Sequence, residues 1–600
     1  MRLSQNHHTF HVPVMGIGFT IDTPIKVAHY GISSVMSLVD DILIEKMREF
    51  YCNKMGFPYT PITEKGSSDH RAERITAYLN LIDKIVHDKF AALKRSFEEK
   101  GEELQKYIDM LPDFSALKKQ FHEFVANNTV KEDVMKWIDA HLHPGSIDVN
   151  IMTKLDKDNY RDDEKLPHEF NDAHAALRGY ANSNLRSCIV FSAGMNPRLY
   201  SYIEKFEDFY PNEQGDIKKK IILKVSDYRS AIIQGKFLAK KGLWVSEYRI
   251  ESGLNCGGHA FATDGYLMGP ILEEFRIHRQ ELIDTTHALF IEALKAKNRI
   301  IPQSKLPIRI TAQGGVGTAE EHNFLLEHYG LDSVGWGSPF LLVPEVTNVD
   351  DHTRQLLCKA KEEDLYLSNI SPLGVPFNSL RGNTKDIEKQ ELIEKGRPGS
   401  SCPKKYIQLN TEFGERAICR ASRQYQNLRI NLLDEKGLSE EERQKEFDAI
   451  VDKSCICVGL GTAALIVNNL STRIEGPGVS VCPGPNIAYF NKVVSLKTMV
   501  DHIYGRTNIV NEASRPHMFV KELKLYVDYL KTQIAETPSP FSEKQLKYFR
   551  EFEKNLHEGI EYYKNLYSDF EAKLAMLKED ILSELEEIRA QLQEVSLVAA

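Results

Sequence analysis

No stretch of this 600-residue chain approaches the ~20 consecutive apolar residues that a membrane-spanning helix needs. Residues 1–14 contain no apolar run of signal-peptide length either. Basic residues are not in excess: 76 Lys and Arg stand against 85 Asp and Glu, for a net charge of −9. That balance gives no bias toward nucleic acid or an anionic membrane surface. Cysteine is sparse. Nine cysteines, an odd number without a secretory signal, do not form a disulfide framework and fit a reducing compartment. Paired C-x₂₋₄-C knuckles of the zinc kind are absent. These absences predict a cytoplasmic protein whose partners are neither nucleic acid nor membrane. What remains is ordinary globular composition, 42% apolar and 27% charged. The length allows two to four domains, or one large barrel with additions.

Short β-rich runs alternate with helical patterns, which predicts α/β units with parallel strands. Residues 12–18, 32–38, 149–152, 188–191, 221–225, 244–250, 308–312 and 333–336 read as eight strands. The first is followed by a helix opening at Pro24 and closing at Gly31. Eight such units are the count for a (β/α)8 TIM barrel. The loops after the strands then carry the chemistry. After the sixth comes Glu251-Ser-Gly-Leu-Asn-Cys-Gly-Gly-His-Ala-Phe261, in which Gly257 and Gly258 precede His259. A bare glycine pair lets backbone pass close to a flat ligand, and the imidazole is then placed for proton transfer near neutral pH. A structural histidine holding its loop is the plainer reading. After the seventh comes Gln313-Gly-Gly-Val-Gly-Thr318, where Thr318 and Glu321 predict a capping box. After the eighth comes Gly335-Trp-Gly-Ser-Pro339. Loops seven and eight of such barrels often bind phosphate through backbone N–H groups, so Gly314, Gly315, Gly337 and Ser338 are candidates, against the reading that they are only turn residues.

With these residues in order, the chain resembles the nitronate monooxygenase (2-nitropropane dioxygenase) superfamily, which also holds flavin-dependent enoyl-acyl-carrier-protein reductases. Pro13-Val-Met-Gly16 looks like the opening strand beneath the flavin, which implicates Met15 and Gly16. Val149-Asn-Ile-Met152 is similar to the third strand, whose Asn (here Asn150) contacts the flavin. Phe191-Ser-Ala-Gly-Met-Asn-Pro197, Lys224-Val-Ser226 and the glycine–histidine motif complete a likeness covering roughly residues 12–345. Family members commonly have Glu-Ala before Gly-Gly-His; this chain has Asn255-Cys256. The resemblance implies FMN as cofactor, with NAD(P)H a candidate electron donor. Lys224 would set positive charge near the ring where reduced flavin is negative. His259 is the expected proton donor in reduction of an enoyl-type double bond. Nitronate-type oxidation with O₂ is the alternative within the family. A non-redox phosphate-binding lyase or isomerase, or a degenerate scaffold, is the alternative outside it.

Three additions surround the predicted barrel domain, 1–352. A helical insertion, about 51–144, carries Ile75, Leu79, Ile82, Val86, Phe90, Leu93 and Phe97 at spacings of three and four; it reads either as a lid or as a packed hairpin. Residues 353–535 form a C-terminal domain in which Cys402, Cys419, Cys455, Cys457 and Cys482 cluster. An iron–sulfur cluster is one reading of these five; buried thiols acting as small apolar fillers is the other. Val458-Gly-Leu-Gly-Thr-Ala-Ala464 lacks the acidic residue of a dinucleotide fingerprint and predicts a tight turn into a buried helix. Residues 536–600 read as one long heptad-patterned helix, able to pair with a second copy or to lie along the chain's own helices. The size of the additions favours a bulky or carrier-bound substrate over a small one.

Overall fold

The computed structural model describes residues 7–97, 101–127, 129–257, 264–511, 515–568 and 575–599. Eight parallel strands close into a barrel: β1 (Phe10–Val12), β2 (Ser33–Ser37), β3 (Ile147–Ile151), β4 (Ser187–Phe191), β5 (Lys219–Val225), β6 (Val245–Glu251), β7 (Arg309–Gln313) and β8 (Ser333–Gly335). Each pairs with its neighbour in chain order, and β1 closes the ring on β8 with Phe10 opposite Val334. This is the (β/α)8 architecture that the alternation predicts. The first strand differs from expectation. Pairing ends at Val12 because Pro13 has no N–H to continue the ladder, and the chain then turns through Gly16 at φ 103°.

Alternate strand residues face the barrel interior. Val14, Val35, Val190 and Ile222 make a small apolar cluster there, but the opposite wall is ionic. Arg249 Nη2 and Thr311 Oγ1 each donate to Glu247 Oε1 at 2.6 Å, with Arg309 3.8 Å from the same carboxylate. Burial opposes ionisation of Glu247, yet Arg249 and Arg309 outweigh it and hold the carboxyl down at about 2. His11 Nδ1 lies 3.1 Å from Ser333 Oγ in the same layer. Branched aliphatic layers are usual inside such barrels; here matched charges replace part of them.

The insertion runs along the barrel wall from the mouth to the floor. Asp40 caps the helix Asp41–Met55, its Oδ1 accepting Leu43 N–H at 2.8 Å. The predicted apolar stripe forms the helix His70–Ser96, with Ile75, Leu79, Ile82, Val86, Phe90 and Leu93 all buried. It packs along Asp172–Ala181 in the outer ring, where Gly179 leaves room for Ile75. Of the helices that follow, Glu103–Met110 sets Tyr107 against Gly31, just before β2 begins. That is the N-terminal end of the barrel; the first part of the insertion lies at the other end, where Glu64 and Arg71 line a cavity beside the mouth.

The C-terminal half packs over the mouth. Gly18 N–H donates to Leu460 O at 2.8 Å, and a Cβ on Gly18 would lie 2.7 Å from Gly461 O. Backbone therefore meets backbone. The Gly-Leu-Gly of 459–461 lies inside the helix Ile456–Val467, not at the predicted turn. Each interior glycine costs a helix about 1 kcal/mol relative to alanine, and the close approach that offsets this cost needs the missing side chain. The heptad stretch also differs from expectation: it forms two helices, Glu543–Ser568 and Ala575–Ala599, that pack on each other and on Met518–Glu536. Leu556, Ile560, Tyr563, Ile581, Leu585, Ile588 and Leu592 are buried this way, so two half-seams satisfy one another within the chain. Phe570 and Leu574 of that pattern lie outside the described residues. Among the described residues no single helix is long and apolar enough to cross a membrane; Glu440–Val451 and Ile456–Val467 reach that length only jointly, across a 46° bend.

Candidate active site at the barrel mouth

Four strands bring polar side chains to one level at their C-terminal ends: Asn150 on β3, Lys224 on β5, Glu251 on β6 and Gln313 on β7. Glu251 is the hub. Its Oε1 accepts from Lys224 Nζ at 3.1 Å, Gln313 Nε2 at 2.7 Å and Asn255 Nδ2 at 2.7 Å. Asn150 is buried, and its Oδ1 finds no donor among the described residues. Gln313 Oε1 faces the His11 ring without meeting hydrogen-bond geometry. A buried acceptor left unpaired costs about 1–3 kcal/mol, and native structures seldom keep one without a role. Asn150 and Lys224 were legible from the strand motifs. Glu251 and Gln313 were not singled out, although Glu247-x-Arg249-x-Glu251 and Arg309-x-Thr311-x-Gln313 mark an inward polar face by strict alternation.

The other sequence candidates fall around this array. Met15 is fully buried and Gly16 turns the β1 loop. Gly257, at φ 80°, packs directly on the Met15–Gly16 backbone and donates its N–H to Cys482 O at 2.9 Å. Gly258 and His259 lie outside the described residues. Gly314 faces Ser252 and Asn255, Gly315 faces Leu254, and Gly337 faces Cys256, so the β7 and β8 loops are nested against the β6 loop. Ser338 is buried and opens the 3₁₀ turn Ser338–Leu342. Thr318 Oγ1 accepts Glu321 N–H at 3.2 Å as the capping box predicts, but the Glu321 carboxylate reaches past Thr318 to Gly317 N–H at 2.8 Å.

Two residues far along the chain reach the same loops. Arg515 donates to Gly315 O at 2.7 Å, to Glu321 Oε1 at 2.7 Å and to Asn486 Oδ1 at 3.0 Å. It sets a guanidinium beside the glycine loop after β7, where a phosphate would want one. Glu522 receives Ser252 Oγ–H at 2.6 Å and Met268 N–H at 2.8 Å, so it ties together both sides of the β6 loop. Burial pushes its carboxyl up to about 7, against those hydrogen bonds. Neither residue carries a local motif; a sequence separation of 200 residues hides the first.

The donor set fits the polar edge of a flavin. It offers a cation, a carboxylate hub and an unpaired amide oxygen at the strand ends, with an arginine by the loop after β7. The glycines of the cradle close on protein atoms, and their smallness serves loop-to-loop packing. A cavity of ≈1490 Å³ lies beside the mouth, between the β3 loop at 156–172 and the C-terminal segment 403–428. It is rimmed by Lys157, Arg161, Arg198, Lys405 and Arg416 among matching carboxylates.

Four of the five clustered cysteines come together within the C-terminal segment. Cys455 and Cys457 have sulfurs 4.0 Å apart, and Cys402 and Cys419 lie beside each other within electrostatic reach of that pair. Cys482 lies elsewhere, at the mouth, where its carbonyl accepts from Cys256 Sγ at 3.3 Å. Among the described residues no three His, Cys, Asp or Glu side chains are grouped to hold a metal ion.

No family model matches the sequence, and no curated protein matches it significantly. Among solved structures, the enoyl reductase domain of MlnA from the macrolactin biosynthesis cluster of Bacillus amyloliquefaciens is similar at 15% identity, covering 72% of this chain and 87% of that one, with a TM-score of 0.32. Nitroalkane oxidase from Streptomyces ansochromogenes is similar at 10% identity, covering 83% of this chain and 96% of that one, also with a TM-score of 0.32. Likeness at that level says nothing of the reaction; the barrel rests on its own strand pairing.

Proposed function

We propose that the chain is an FMN-dependent oxidoreductase that reduces an activated, enoyl-type double bond on a bulky or carrier-bound substrate. The observation that carries this reading is the array at the strand ends: Lys224 and Glu251 paired beside an Asn150 oxygen that nothing in the described chain satisfies. The motif resemblance supplies the cofactor's identity. When bound, FMN supplies the hydride chemistry. The chain's own residues hold and tune it. Asn150 accepts from the ring edge, and Lys224 places positive charge where the reduced ring is negative. Gln313 and Asn255 keep the Glu251 carboxylate turned away from that edge by donating to it. Gly314, Gly315, Gly337 and Ser338 let the loops after β7 and β8 pack closely where the phosphate would lie, with Arg515 beside them. His259 delivers the proton at the substrate's α-carbon, a role worth ~10²–10⁴-fold in rate. The cavity beside the mouth exceeds the roughly 300–1,000 Å³ typical of small-ligand sites, which suits a large substrate.

Acid release of the chromophore from purified protein tests the reading. A yellow protein that yields FMN, and loses it in Lys224→Met, supports it. A colourless protein that takes up no added FMN removes the oxidoreductase claim and leaves a non-redox barrel. With FMN bound, His259→Ala is expected to lower turnover at least 100-fold while flavin stays in place.

A further inference from the structure

The helix Met518–Glu536 sets a carboxyl group against the loop that follows β6. Glu522 is 1% exposed and 270 positions from Ser252, yet Ser252 Oγ–H reaches its Oε1 at 2.6 Å. One turn further along the same helix face, Tyr526 OH accepts Gly253 N–H at 3.1 Å. A Cβ on Gly253 would lie 2.6 Å from the Tyr526 ring, so this approach needs the glycine. Burying a carboxyl group costs free energy that an apolar side chain in the same space would not. Packing alone does not account for an acid here.

What the acid holds is a short chain of bonds. Ser252 Oγ, its proton directed at Glu522, accepts Leu254 N–H at 3.1 Å, and Ser252 O accepts Asn255 N–H at 3.1 Å. These two bonds fold residues 252–255 into a tight turn. The turn brings Asn255 Nδ2 to Glu251 Oε1, 2.7 Å away. Glu251 Oε1 in turn lies 3.1 Å from Lys224 Nζ. On the far side of the loop, Met268 N–H meets the other Glu522 oxygen at 2.8 Å and keeps the carboxyl group turned toward Ser252. A buried acid on an added helix is thus joined, through Ser252, Asn255 and Glu251, to the cation at the strand ends.

We propose that Glu522 is a positioning residue that sets the reduction potential of the bound flavin, acting through Ser252 and Asn255 on the Glu251–Lys224 pair. The inference rests on the flavin reading above and deepens it. With the turn held, the Asn255 N–H faces the Glu251 carboxylate and shares its charge. With the turn loosened, that carboxylate is freer to neutralise Lys224 and to swing toward the ring edge. Negative charge there opposes a reduced, anionic flavin. Releasing Ser252 from Glu522 therefore lowers the potential.

The test is the midpoint potential of FMN in the full-length protein, measured without oxygen by equilibration with a reference dye. Glu522→Ala should reduce the two-electron reduction constant about tenfold, a fall of about 30 mV, with flavin still bound. Asn255→Ala should lower the potential by a similar amount, and the double variant no further, because both changes cut one chain of bonds. Glu522→Gln should restore the wild-type value, since its amide can accept from Met268 N–H and donate to Ser252 Oγ. If Glu522 served only the fold, Glu522→Ala would cost stability or flavin content and leave the potential of the bound flavin unmoved. That result overturns the proposal, as do additive shifts in the double variant. Where Glu522→Ala fails to fold, Ser252→Ala combined with Asn255→Ala makes the same comparison. Wild-type protein that takes up no added FMN removes the flavin reading and this inference with it; with FMN bound, an unmoved potential removes the inference alone.

Discussion

The two polar layers inside the barrel are built from the same residue types and treat them in opposite ways. In the lower layer Glu247, Arg249, Arg309 and Thr311 answer one another. At the mouth, Lys224, Glu251, Gln313 and Asn255 also interlock, but Asn150 Oδ1 and Gln313 Oε1 are left over. A satisfied buried network costs little and fixes the fold. A nearly satisfied one holds a place for something else. Polarity by itself therefore does not mark the site within a barrel. The mouth differs in leaving two amide oxygens without donors among the described residues, where the lower layer leaves one ring nitrogen, His11 Nε2.

The largest effect should come from breaking the lower layer. Arg249→Met leaves the Glu247 carboxylate buried beside one distant arginine and should cost about 3–5 kcal/mol, read by denaturant unfolding. A cost below about 1 kcal/mol would erase the distinction between the layers. Glu522 comes next, through pH. Its carboxyl sits near 7 in the fold and at 4.5 as its ordinary value. The folded state thus keeps a proton that the unfolded chain has released between those values. The stability this contributes is full below about 4.5 and is lost as pH rises through about 7. Glu522→Gln should flatten that slope and make the protein about 3 kcal/mol more stable than wild type at pH 8, with little difference near pH 4.5. A parallel pair of stability–pH curves would contradict it. At the mouth, Lys224→Met should cost stability only about 1 kcal/mol, since Glu251 keeps two other donors, but lower FMN affinity tenfold or more by titration. Asn150→Ala is the smallest and sharpest case. Removing an unpaired acceptor should leave flavin-free protein unchanged or up to about 1 kcal/mol more stable, while weakening FMN binding. A clear loss of stability would show that Asn150 serves the fold.

The barrel was readable because short β-rich runs alternate with helical patterns, and the loops after β1, β4, β6, β7 and β8 carry glycine turns. The seven strands from β2 to β8 fall within two residues of expectation. β1 slid because a proline inside an apolar run ends pairing without changing the run's hydrophobicity. Asn150 and Lys224 were found through their strand motifs. Glu251 was missed while its neighbour Asn255 was noticed, because the motif drew attention to the loop and away from the alternation leading into it. Arg515 and Glu522 lie on elements added after the barrel, and nothing local signals where such elements dock. The same limit explains the covering of the mouth: an apolar helix containing two glycines reads like any buried helix until its partner, Gly18, is known. The cysteines divided likewise, since spacing along the chain could not separate Cys482 from the four that meet.

The contact between Gly18 and Leu460 joins residues more than 400 positions apart. During synthesis the lip of β1 therefore has no partner until the chain is three-quarters made. Protein elongating at roughly 5–20 residues per second leaves that lip waiting for tens of seconds. The barrel's opening edge is then an exposed, sticky surface in every nascent chain, and a product truncated before Cys455 should bind chaperone or precipitate even though all eight strands are present.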